Sequence, residues 1–180
     1  MKPVRLLALL LAGAVALPAC LISQEDHIIQ PLPPAKNQPP RILENLTSPA
    51  RFFSSRNGLD CPNLFFSAKV ADPDLNDTLF YNFYVDADVN PVPVKQSSIT
   101  NPTGAEIRAD PATYEFSFAT VGALQQPGEH VVELLLADGA LLNGQPQPRL
   151  VQQLDGGFEQ DPSYAVSYVW NVTIVAGPCQ

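Results

Sequence analysis

The chain has 180 residues, 46% of them hydrophobic and only 16% charged, with a formal net charge of −8. Such a composition can build a hydrophobic core, which excludes a wholly disordered chain, and the length accommodates one domain with extensions. Nineteen prolines, about twice the ordinary share, exclude long uninterrupted surface helices and favour short strands joined by many turns.

The N-terminus reads as an export signal over residues 1–19. Lys2 and Arg5 form a positive start, and Leu6 to Ala19 is a run of 14 apolar residues, Gly and Pro. That run is shorter than the ~20 residues a transmembrane helix needs. It ends in Leu17-Pro18-Ala19-Cys20. Here the sequence resembles bacterial lipoproteins, whose lipobox places an aliphatic residue three positions before an invariant cysteine. Pro18 stands where that family usually has Ala, Ser or Gly. The resemblance implies that the signal is cleaved before Cys20 and that Cys20 receives fatty acyl chains such as palmitate on its thiol and new amino group. Two or more chains give stable membrane anchoring, where one is marginal. Leu21 rather than Asp follows Cys20, which in Gram-negative members of the family implies the outer membrane of the bacterial cell envelope. Ala14-Val15-Ala16 offers the alternative of ordinary secretion, since it is a small-x-small cleavage site.

Without residues 1–19 the chain keeps 8 basic against 18 acidic residues, a formal charge of −10. Phosphate backbones are repelled by such a surface, so nucleic acid is excluded as an expected partner. Residues 20–40 read as the acylated cysteine and a tether, because Pro31, Pro33, Pro34, Pro39 and Pro40 favour extended polyproline backbone. The folded domain is expected over 41–180.

From Arg41 onward the hydrophobic pattern has period two. Strands are predicted over 42–46, 64–70, 79–85, 113–119, 130–137 and 164–175, with a proline-interrupted one within 92–99. About seven short strands and no amphipathic helix predict an all-β fold, an antiparallel β-sandwich. The segments Val70-Ala71-Asp72-Pro73-Asp74 before Leu79-Phe80-Tyr81, and Gly128-Glu129-His130-Val131-Val132-Glu133-Leu134 leading to Ala137-Asp138-Gly139, carry a further likeness. They resemble immunoglobulin-like domains of the polycystic-kidney-disease and cadherin-like type. The resemblance implies seven strands, with the strand in 92–99 in fourth place. It also puts the start of strand 64–70 and the end of strand 164–175 at one end of the sandwich. Cys61 and Cys179 then meet, and a disulfide is allowed in an oxidising exported compartment. The alternatives are two free thiols or an intermolecular bridge.

No Gly-x-Ser-x-Gly, P-loop, Rossmann glycine pattern, Cys-x-x-Cys or His-Glu-x-x-His occurs in the sequence. His27 falls in the tether and His130 at a strand entrance, and no nucleophile is singled out for either, so a non-enzymatic protein is expected. Two acidic triplets have the one-three-five spacing that opens a calcium loop, Asp72-x-Asp74-x-Asn76 and Asp86-x-Asp88-x-Asn90. Neither completes such a loop, and Asp and Asn form turns readily without metal. Asp72, Asp74 and Asp77 are the candidate calcium ligands, because loops of similar form bind calcium in cadherin-like domains. Residues 139–162 are expected to be one long irregular connection. Its apolar residues, with Phe65, Phe80 and Tyr84 on outer faces, either cover one another or face a partner.

These observations predict a membrane-anchored envelope lipoprotein, a non-catalytic binding or scaffolding module with no cofactor. Its expected partners are the membrane, through the lipid, and an envelope protein or polysaccharide. The alternatives are a calcium-dependent adhesion or carbohydrate-binding module, and a secreted enzyme or accessory domain without recognisable motif.

Overall fold

The computed structural model of the chain describes residues 37–87, 91–152 and 156–179. The signal segment, Cys20, most of the tether, His27, Asp88 and Asn90 lie outside the described residues. The described chain is a sandwich of two main sheets. One holds β1 (Arg41–Ser48), β3 (Leu64–Ala71) and β6 (Ala112–Phe116) in the order β1-β3-β6. The other holds β2 (Phe52–Arg56), β4 (Leu79–Val85), β5 (Lys95–Ile99), β7 (Gly128–Ala137) and β12 (Ala165–Val175), in the order β2-β12-β7-β4-β5. Every pairing in these sheets is antiparallel except that of β2 with β12.

Alternation of side chains drives the architecture. Leu64, Phe66, Ala68 and Val70 of β3 point inward, as do Leu79, Tyr81 and Phe83 of β4. They meet Val132, Leu134 and Leu136 of β7 and Trp170, Val172 and Ile174 of β12. Each large apolar side chain removed from water contributes ~1.5–3 kcal/mol. Trp170 is fully buried, packs edge-on to Phe66 at 5.5 Å and donates its indole N–H to Pro49 O at 3.1 Å. Its single polar atom is thereby satisfied, which burial requires.

Three expectations need correction, whereas the strand expected in 92–99 is present as β5 and pairs with β4 from Leu79↔Ile99 to Phe83↔Lys95. The short β4–β5 connection makes an antiparallel neighbour the simplest outcome. The strand expected over 113–119 ends at Phe116, because the Thr120 amide and hydroxyl both donate to Ser117 O and close a turn. β2 was not expected, and with it the two main sheets hold eight strands where about seven were predicted. Residues 139–162 are not irregular: they contain two hairpins, β8 (Leu141–Leu142) with β9 (Gln145–Pro146), and β10 (Arg149–Gln152) with β11 (Phe158–Asp161).

Cys61, before β3, is joined to Cys179, after β12, with 4.9 Å between their Cα atoms. At the other end of the sandwich lie the β3–β4 turn and the β7–β12 connection. There the chain also enters: Asn37 is buried and donates to Asp138 Oδ2 at 2.9 Å and to Pro162 O at 2.7 Å. Asn37, four residues before Arg41, thus packs with the sandwich.

Candidate functional site

The acidic turn sits at this entry end. Asp72 Oδ1 accepts the Asp74 amide at 2.9 Å, and Asp74 O accepts the Asp77 amide at 3.0 Å. The first is the side-chain-to-backbone turn that Asp forms readily without metal, and the second is a backbone turn. The structure does bring Asp72, Asp74 and Asp77 together, with ligand oxygens within 4.8 Å of one another. It also brings two arginines that the sequence reading did not single out. Arg108 has no exposed side-chain surface and lies 3.3 Å from Asp72 Oδ2, itself fully buried. Its guanidinium donates to Ala105 O and Asp74 O, each at 3.0 Å, and to Asp77 O at 3.3 Å. Arg149, at the base of the β10–β11 hairpin, pairs with Asp77 Oδ1 at 2.5 Å and with Asp161 Oδ2 at 3.5 Å. Asp74 Oδ2 accepts the Gln38 amide at 2.7 Å.

This donor set does not fit a calcium ion. Calcium needs six to eight converging oxygens. Here Asp72 faces one guanidinium and Asp77 another, so each would have to exchange an arginine for the metal. The arginines supply the positive charge that the carboxylates require.

Burial still dominates the local electrostatics. It pushes the Asp72 carboxyl up to about 6, against the Asp74 amide and the Arg108 charge, which pull it down. Asp138 is raised by burial too, although it accepts the Tyr164 amide at 2.8 Å and the Asn37 amide. Arg149 loses some basicity to burial, but the hydrogen bond and charge of Asp77 outweigh that and hold it above its ordinary value. Within this network Asp72 Oδ2, Asp77 Oδ2, Arg108 Nε and Arg149 Nε make no hydrogen bond of good geometry, although the charges lie close.

The second triplet is resolved differently. Asp86, at the far end of β4, places Oδ2 2.6 Å from His130 Nδ1 and accepts the Val131 amide on Oδ1 at 2.8 Å. His130 Nε2 faces Gln126 O at 2.8 Å. Both partners are acceptors, an arrangement that favours the doubly protonated ring. Burial pulls the His130 pKa down, but the Asp86 hydrogen bond, the Gln126 carbonyl and the charges of Asp86 and Glu129 raise it overall. His130 is the one histidine among the described residues, and neither ring nitrogen is free to serve as a base.

A third feature lies on the outer face of the five-stranded sheet. Between edge strand β5 and the β8–β9 hairpin is a shallow groove of about 430 Å³, lined by Phe80, Asn82, Gln96, Ser98 and Leu141 among others. Tyr84 is buried beneath this hairpin, whereas Phe65 is 54% exposed, Leu150 69% and Phe158 70%. The outer aromatic residues therefore divide between cover and exposure.

Compared with known proteins, the chain matches no family model, no curated protein and no solved structure. Among the described residues no helix is long and apolar enough to cross a membrane.

Proposed function

We propose that the chain is an exported lipoprotein of the bacterial cell envelope, anchored through Cys20 on a proline-rich tether. Its immunoglobulin-like sandwich binds or scaffolds and performs no chemistry of its own. The observation that carries this reading is the Cys61–Cys179 disulfide. Disulfides persist in exported compartments, and this pairing leaves Cys20 as the single remaining cysteine, at the lipobox position. The double engagement of His130 supports a non-catalytic role, because it occupies both ring nitrogens of the one histidine among the described residues. Leu21 after Cys20 favours the outer membrane, and the charge of −10 disfavours nucleic acid.

Cell fractionation tests the anchor. Wild type is expected in the membrane fraction, and Cys20→Ala in the soluble exported fraction. An unchanged membrane partition of Cys20→Ala would contradict lipid anchoring.

A further inference from the structure

We infer that the groove between β5 and the β8–β9 hairpin binds a neutral oligosaccharide, an inference that rests on the binding-module reading above and gives it a ligand class. The volume of about 430 Å³ falls in the range of small-ligand sites. Its floor is made by two cross-strand pairs on one face, Phe80↔Ser98 and Asn82↔Gln96. Phe80 is half-buried and offers a ring against which the C–H face of a sugar can lie, since aromatic faces are electron-rich. Asn82 is 4% exposed and its amide nitrogen donates to Tyr84 Oη at 3.0 Å, so that carboxamide is held in one orientation. Gln96 and Ser98 are exposed on the edge strand, and Leu141 of the hairpin forms the opposite wall.

Carboxamides and hydroxyls both donate and accept hydrogen bonds, which matches sugar hydroxyls that do the same. None of the lining residues carries a charge, although the chain as a whole is strongly acidic. An anionic ligand would meet the chain's net negative charge with no cation in the lining, and a cationic one would find no carboxylate there. Recognition is by side chains on the sheet face, whereas a peptide added to the β5 edge would draw on backbone groups.

Affinity electrophoresis of the full chain, produced with its own N-terminal segment, tests this. Native gels are cast with dextran, laminarin or galactomannan, with polygalacturonate as the anionic comparison. Retardation by at least one neutral glycan and none by polygalacturonate is expected. Phe80→Ala should weaken retardation about tenfold, the loss of roughly one stacking contact. Ser98→Glu, at an exposed edge position where folding is not at stake, should abolish it. Retardation by no neutral glycan, by polygalacturonate alone, or undiminished in Ser98→Glu would overturn the assignment. Membrane partition of the same preparation reads the anchor separately. A membrane-bound protein that no neutral glycan retards would remove the glycan site alone.

Discussion

Arg108 is the residue on which the entry end of the sandwich depends. It is a fully buried guanidinium that neutralises Asp72 and ties down three carbonyls, of Ala105, Asp74 and Asp77. Arg108→Met should lower unfolding stability by about 3–5 kcal/mol in urea titration, because it leaves a buried carboxylate unpaired. Asp72→Asn added to it should recover a good part of that loss. Full additivity of the two substitutions would show that they do not act as a pair. The acidic turn itself is legible in the sequence, since Asp, Pro and Asn at that density form turns. Its counter-ion is not, because nothing in the spacing says which basic residue, more than thirty positions away, goes inside.

The titrating residues give the stability a definite pH slope. Asp72 is raised from 3.8 to about 6, so between those values the folded state holds a proton that the unfolded chain has released. Stability therefore falls as pH rises through that window. Asp138, also raised, acts in the same sense. His130 is raised above 6.5, so its contribution is complete below that pH and is lost as pH climbs through the folded value. The thermal midpoint should decline from mildly acidic to mildly alkaline pH. Asp72→Asn should flatten the acidic part and His130→Gln the alkaline part. A midpoint that rises across this range would contradict both assignments.

At the scale of elements, the long alternating strands β3, β4, β7 and β12 are legible because one face of each is apolar and buried. β2, by contrast, reads Phe-Phe-Ser-Ser-Arg, with no residue fully buried, and owes its existence to the β12 edge beside it. The β8–β9 hairpin was readable in principle. Asn143 and Gly144 have positive φ values of 50° and 71°, and Asn-Gly is the strongest short hairpin signal a sequence carries. It lies among scattered Leu, Gln and Pro, which read as loop. Gly144 also lies beside Tyr84, where a Cβ would meet the hydroxyl at an ordinary contact distance of 3.4 Å. The disulfide joins elements 118 residues apart. Breaking it in Cys61→Ala/Cys179→Ala should cost about 4–5 kcal/mol by the chain-entropy model. A double variant as stable as wild type would show that the clasp does not constrain the unfolded chain.

For the whole molecule, the structure joins Cys61 to Cys179 in the clasp at one end of the sandwich, and the proposal assigns Cys20 to the lipid. Asn37 docks at the opposite end from the clasp, so the chain enters the sandwich beside the Asp72 and Asp138 network. The alternation carries the fold, and the proposed localisation rests on the N-terminal pattern alone, while the proposed ligand surface emerges only when β4, β5 and the β8–β9 hairpin are assembled. The intact mass of the protein purified from membranes reads the proposal most directly. It should correspond to a chain that begins at Cys20, carries two or more acyl groups and lacks the two hydrogens lost in forming one disulfide. An unacylated chain beginning at Met1 or at Leu17 would contradict it.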